Sequence, residues 1–255
     1  MKMAALWACV LLFAAPAYAG EELGNTVKGT HFIVHYRAAP EAFAQKVLSE
    51  AERDYEKITD DLGLLRRDFW LWDNRATIYV CDDATQYQQA AKMPAWSAGA
   101  SLPKEKVVYV FQGKENLFES VLPHELGHII FREFVGFDNP AVPLWMDEGA
   151  ASYQQGRLNF RPALEALIRK RGGLIPLDEL GSLKPHEMAD REDVEQFYAE
   201  AASVIDFLIH SFGKENFVIF CRSLRDTRDL SRALSYSYTI RDIRELDRRW
   251  QAYVK

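Results

Sequence analysis

The hydrophobic positions follow different periods in the two halves of the chain. Up to residue 111, apolar residues alternate with polar ones in short runs or recur at steps of three and four, which predicts strands mixed with helices. The predicted strands are 30–36, 75–81, 96–101 and 107–111, and the predicted helices are 40–62 and 85–93. This half therefore favours a mixed or antiparallel sheet accompanied by helices.

Beyond Phe134, a loop that contains Gly136, Asp138, Asn139, Pro140 and Pro143 leads into segments that nearly all have helical periodicity. The predicted helices are 144–155, 162–171, 190 or 193 to 212, 215–224 and 240–254. The whole chain is therefore predicted to be α+β, with an all-helical C-terminal part. We place the boundary near Gly136, which gives an α/β part at 20–136 and a helical part at 137–255.

The first nineteen residues have the organisation of a secretory signal peptide. Lys2 precedes an apolar stretch at 4–15, and Ala17 and Ala19, on either side of Tyr18, offer an Ala-x-Ala cleavage site. The stretch is shorter than the roughly 20 residues needed to span a bilayer, and no later segment is long and apolar enough. We expect an exported protein, periplasmic or extracellular, without stable membrane insertion once residues 1–19 are removed.

The charge distribution excludes some classes of partner. The net charge is −6, the sequence pI is about 5.6, and no long block of Lys or Arg occurs. Nucleic acids and anionic membranes are bound through clustered positive charge, so neither is expected as a partner.

Two cysteines remain after the predicted signal peptide, Cys81 and Cys221. An exported protein is exposed to oxidising conditions, in which such a pair could form one disulfide. Two buried free thiols are the alternative, and the sequence leaves both open.

The main candidate for chemistry is a predicted helix at 119–134 that contains His124, Glu125 and His128 in the pattern His-Glu-x-x-His. Ser120 is expected to cap this helix, and Pro123 falls in its first turn. Residues four apart share one helix face, so both imidazoles can reach one metal ion with Glu125 beside it. This pattern is typical of zinc hydrolases.

A catalytic zinc takes three protein ligands, so the two histidines require one more. Glu148 is the best candidate, because it lies on the next predicted helix after a loop long enough to reverse direction. The small residues Gly149 and Ala150 allow that helix to approach closely. Asp147 would point about 100° away from Glu148 on the helix.

Together, the His-Glu-x-x-His pattern and the stretch Trp-Met-Asp-Glu-Gly-Ala at 145–150 resemble the gluzincin metallopeptidases, particularly bacterial peptidase MA-like domains. The resemblance implies a zincin-like fold with the zinc-binding helix at its centre. It also implies that Glu148 is the third ligand, beside His124 and His128, of one Zn²⁺ per chain.

More distantly, the chain is similar to the aminopeptidase N and leukotriene hydrolase branch, in which a Tyr at the opening of a later helix stabilises the transition state. The match at 197–213 nominates Tyr198, which could equally be a packing aromatic. Residues 96–100 lack the acidic residue with which aminopeptidases bind the free N-terminus of a substrate. The loop between His128 and Glu148 is one residue longer than is usual in that branch. These departures argue against aminopeptidase activity and leave zinc binding unaffected.

The sequence therefore predicts an exported zinc-dependent metallopeptidase that acts on a peptide or protein substrate. Glu125 would be the general base and Tyr198 a catalytic hydrogen-bond donor. The alternative is a catalytically inactive zincin-like periplasmic module that binds peptides or assists assembly. Endo- or exopeptidase action and the oligomeric state are left open.

Overall fold

The structure, a computed structural model, describes residues 24–65, 70–94, 97–154, 160–188 and 190–254. The predicted signal peptide lies outside the described residues. Five strands occur in this part of the chain: β1 (Asn25–Lys28), β2 (Phe32–Tyr36), β3 (Ala76–Cys81), β4 (Ala100–Leu102) and β5 (Val107–Phe111). They form one sheet that precedes a run of helices, which confirms the predicted α+β class.

The sheet is mixed, with strand order β1-β2-β3-β5-β4. The three central strands are parallel, whereas β1 and β4 are antiparallel edge strands. β1 was not predicted, because its sequence Asn-Thr-Val-Lys buries only Val27 and shows no extended alternation. β4 begins later than predicted, since residues 97–99 run outside the ladder before Ala100 pairs with Tyr109.

The helices of the described part are α1 (Glu41–Leu62), α2 (Ala84–Ala91), α3 (Leu122–Val135), α4 (Leu144–Ser152), α5 (Phe160–Arg171), α6 (Leu177–Leu180), α7 (Arg191–Phe212), α8 (Lys214–Thr227), α9 (Leu230–Tyr238) and α10 (Ile243–Val254). Most match the predicted segments. Within the described ranges, none combines the length and the apolar character that crossing a membrane requires.

The start of α3 differs from the prediction. Pro123 does lie in its first turn, but Ser120 is not the cap. A π-helical turn at Leu117–Val121 runs directly into α3, and Asn116 begins that turn with φ 56°. The N–H of Leu122, the first residue of α3, donates to the Leu117 carbonyl of this turn, so it needs no side-chain cap.

One hydrophobic core connects the sheet with the helices. It includes Phe32 and Ile78 from the strands, Leu126 and Ile129 from α3, and Trp250 from α10. α3 contacts α1, β4, α4 and α8, so it occupies a central position in the molecule. Its side chains are therefore held from several sides.

The two cysteines are free and buried. Burial raises the pKa of both thiols, that of Cys81 to about 12 with a further contribution from Asp82 and Asp83. Of the two alternatives left open by the sequence, the structure therefore has the pair of buried thiols.

A buried carboxylate, Glu200, ties the chain before α6 to α7. The Ile175 N–H donates to both of its oxygens, at 3.2 and 3.1 Å, and Gln196 Nε2 donates to Oε1 at 2.6 Å. Burial raises the pKa of Glu200 to about 7, although these hydrogen bonds oppose the shift.

We expect this carboxylate to make folding depend on pH. Its pKa in the folded protein lies above the ordinary value of 4.5, so between pH 4.5 and about 7 the native state holds the proton more tightly than the unfolded chain. The free energy of unfolding should therefore fall as pH rises through this window, by at most about 1.4 kcal/mol per pH unit. Urea unfolding at pH 5, 6, 7 and 8 should show a shallower decline for Glu200→Gln. The exposed Glu165→Gln is the control, and equal slopes for all three proteins would contradict the expectation.

Candidate metal centre

Two imidazoles on α3 face the same point, as their spacing of four residues predicts. His124 and His128 are 1% and 0% exposed. Their Nε2 atoms lie 3.1 Å apart, and the rings are nearly perpendicular, at 88°. Two nitrogen lone pairs can therefore be directed at one ion.

Glu148 on α4 completes the group. Its Oε2 atom lies 3.5 Å from Nε2 of His124 and 3.5 Å from Nε2 of His128, and no described residue hydrogen-bonds that oxygen. Zinc ligands at about 2.0–2.1 Å in tetrahedral geometry are separated by about 3.3 Å. The donor atoms and their spacing fit a metal ion held by two imidazoles and one carboxylate, which leaves a fourth position open.

Two glycines bring the helices of this centre into backbone contact. A Cβ atom added to Gly127 of α3 would lie 2.8 Å from the Cα of Ala151 in α4. One added to Gly149 of α4 would lie 2.4 Å from the carbonyl oxygen of Ala201 in α7. Such distances are too short for any side chain, so α3, α4 and α7 approach as closely as they do because these positions are glycine.

Asp147, the neighbour of Glu148, points away from the three donor atoms but contacts the ring of one ligand, His128. Its Oδ1 lies 3.2 Å from Nδ1 of His128, and Arg132 Nε donates to Oδ2 at 2.8 Å. A carboxylate only accepts hydrogen bonds, so His128 carries its proton on Nδ1 and keeps the Nε2 lone pair for the ion. We did not predict this contact; a carboxylate beside Glu148 and an arginine four residues after His128 were the available signals.

The electrostatics of the centre favour positive charge. Burial alone would lower the pKa of His128, but Glu148 and Asp147 outweigh it and raise that pKa well above its usual value. Burial likewise would raise the pKa of both carboxyls, yet His128 lowers each of them. A metal cation bound at this centre would be stabilised by the same two carboxylates, Glu148 and Asp147.

Asp147→Asn is expected to weaken metal affinity by about 10- to 100-fold, because the amide no longer fixes His128 with a full negative charge. The affinity for Zn²⁺ can be measured by competition with a chromophoric chelator. Asp178→Asn, at an exposed carboxylate on α6, is the control. An unchanged affinity in Asp147→Asn, with the control also unchanged, would show that this hydrogen bond does not support the ligand.

The other two predicted site residues also lie here. Glu125 is fully buried and follows His124 directly, and it is not part of the three-residue ligand group. Tyr198, on α7, is 1% exposed, and its ring centre lies 6.1 Å from that of His124. The structure thus brings together all five residues singled out in the sequence.

Comparison with known proteins agrees with this arrangement. A family model described as the peptidase MA superfamily matches residues 71–255, which include every residue of the centre. A search of curated proteins gave no match. The match and the His-His-Glu group confirm the gluzincin-like resemblance seen in the sequence. The chain belongs to the peptidase MA superfamily.

Proposed function

We propose that this protein is an exported zinc metallopeptidase that hydrolyses peptide bonds. The observation that carries the proposal is the convergence of His124, His128 and Glu148 at 3.1–3.5 Å in a chain of a peptidase superfamily. Two imidazoles, one carboxylate and an open position make up a ligand set of catalytic zinc, with one ion per chain. The family supports peptides or proteins as substrates.

Glu125 is proposed as the general base. When bound, zinc would lower the pKa of a water molecule toward about 7 and polarise the scissile carbonyl. Glu125 would accept the proton of that water and pass it to the leaving amine. Its burial beside His124, outside the ligand group, supports this role.

Tyr198 is proposed to donate a hydrogen bond to the oxyanion that develops on the scissile carbonyl. It is buried, and its ring lies close to His124, which supports a position facing the reaction rather than the solvent. Preorganised donors of this kind act in a site from which water is excluded, where they stabilise developing charge strongly.

Tyr198→Phe is expected to lower kcat by about 10²- to 10³-fold, because one oxyanion donor is lost, while zinc content stays unchanged. Tyr238→Phe is the matched control: this tyrosine is also buried, lies on α9, and its hydroxyl has no hydrogen-bond partner among the described residues. Steady-state kinetics and metal analysis of both variants give the comparison. Equal kcat values for the two variants would assign Tyr198 to packing instead.

The two parts of the chain and its export are also part of the proposal. We place the centre between an α/β part at 20–136 and a helical part at 137–255, and we expect residues 1–19 to be removed on export. N-terminal sequencing of the protein from the cell envelope or the medium tests the latter. An intact residue 1 in exported protein would contradict it.

The function itself is tested by metal analysis and by digestion of a peptide library. Protein purified without added zinc should retain about one zinc ion per chain and should cleave peptides in the library. A chain that binds no metal would refute the proposal. Full zinc occupancy without cleavage would favour the inactive peptide-binding or assembly module.

A further inference from the structure

Residues 97–99 run past the start of α3, and Gly99 lies against Glu125. A Cβ atom added at Gly99 would lie 3.1 Å from Oε1 and 3.3 Å from Cγ of Glu125, and 2.5 Å from Cγ1 of Val121. The two distances to Glu125 are tight contacts. The distance to Val121 is too short for two carbon atoms, so Val121 or residue 99 would have to move. An alanine at residue 99 would therefore push the Glu125 side chain away by a few tenths of an ångström and would displace Val121 by more.

Hydrogen bonds hold Gly99 in this place. Ser97 Oγ donates to the Gly99 carbonyl at 3.0 Å, and the Tyr87 hydroxyl lies 2.6 Å from the same Oγ. Because the Ser97 proton is directed to Gly99, Tyr87 is the donor of the second bond. Both side chains are buried.

The anchors on either side of Gly99 are rigid. Tyr87 lies on α2, and its ring packs 5.0 Å from that of Phe111 in β5. On the other side of Gly99, Ala100 begins β4 and pairs with Tyr109 of β5. The backbone at residue 99 is thus fixed relative to the sheet.

We propose that Gly99 is a positioning residue for Glu125, and that Tyr87 and Ser97 hold it in position through their two hydrogen bonds. The inference rests on the proposed function, because Glu125 matters as a general base only in a working peptidase. A misplacement of about 1 Å in a reacting group costs on the order of 100-fold in rate. The absence of a side chain at residue 99 therefore allows Glu125 its position beside the metal centre.

Gly99→Ala tests the inference. We expect kcat to fall at least about 10-fold, with KM within twofold and zinc content unchanged, because Glu125 is moved and no ligand is. Gly173→Ala, at a glycine where an added Cβ meets no atom within 4 Å, should match the wild type. Wild-type kcat in Gly99→Ala would overturn the proposal.

A double variant separates positioning from general strain. Gly99→Ala with Val121→Ala removes the 2.5 Å clash and leaves the contact with Glu125. We expect the Tm to recover while kcat stays low. If kcat recovers together with the Tm, strain at Val121 explains the effect and the proposal fails.

Ser97→Ala and Tyr87→Phe provide the test should Gly99→Ala not fold. Ser97→Ala removes both hydrogen bonds and Tyr87→Phe removes one. Each should lower kcat by about 3- to 10-fold at unchanged zinc content, and Ser97→Ala should have at least as large an effect as Tyr87→Phe. Wild-type kcat in both would overturn the role of these hydrogen bonds.

A readout that does not need turnover keeps this inference distinct from the proposed function. In Co²⁺-loaded protein, the visible spectrum responds to groups that hydrogen-bond at the open coordination position. The spectra of Gly99→Ala and Glu125→Gln should shift in the same direction from the wild type. If the wild type cleaves no peptide, the proposed function fails, and the spectra alone then test the positioning role of Gly99. A spectrum of Gly99→Ala that equals that of the wild type would overturn this role.

Discussion

Glu125→Gln is expected to bind zinc as the wild type does and to lose peptide hydrolysis. The amide has the same shape as the carboxyl group but cannot accept the proton of the attacking water. The ligand group consists of His124, His128 and Glu148, so the substitution leaves it intact. A general base contributes about 10²- to 10⁴-fold to the rate, and kcat should fall by that factor.

Zinc content and kcat are measured on the same preparation of the variant. Glu119→Gln, at an exposed carboxylate in the π-helical turn before α3, is the control and should retain full activity. Undiminished turnover in Glu125→Gln would remove Glu125 from the mechanism. Loss of zinc from this variant would instead show that the side chain supports the ion.

Gly149→Ala is expected to destabilise the fold and weaken zinc binding together. The added methyl group would lie 2.4 Å from the carbonyl oxygen and 2.8 Å from the carbonyl carbon of Ala201. These are backbone atoms of α7 and cannot turn aside as a side chain can, so α4 must move away. Overpacking of this kind costs about 1–3 kcal/mol or more. Glu148, the preceding residue, would move with the helix.

Urea unfolding with and without zinc measures both effects of Gly149→Ala. The variant should unfold at lower urea in chelator and should gain less stability from added zinc than the wild type does. Gly24→Ala is the control, since an added Cβ there meets no atom within 4 Å. If Gly149→Ala is as stable as the control, α4 and α7 can move apart without loss of free energy of unfolding, which would contradict the expectation.

The ligand group could be predicted because it depends on local geometry. The spacing of His124 and His128 needs only helical periodicity. Zinc requires a third ligand, and Glu148 was chosen because it lies on the next predicted helix, in the stretch that resembles the gluzincins. The bond from His128 to Asp147 depends on how α3 is rotated against α4. That rotation is fixed by tertiary packing, so the contact could not be predicted from the sequence.

The elements that the sequence did not predict are short and depend on their neighbours. α9 has three serines among its nine residues, which lowers its helix propensity, and it is stabilised by the Asp229 cap and by burial of Ala233, Leu234 and Tyr238. β1 is an edge strand that buries one residue. A strand that buries one residue has no periodicity of its own, so β1 forms because the neighbouring strand is already present.

The backbone contact of α3, α4 and α7 through Gly127 and Gly149 also bears on how a metal ion is acquired. Because main-chain atoms set the separation of these helices, the spacing of the backbones that carry the three ligands does not depend on flexible side-chain packing. The centre is therefore preorganised: little conformational entropy remains to be lost on binding, in contrast to zinc fingers, which fold only around their ion. Chelation should give a folded apoprotein that regains zinc without refolding.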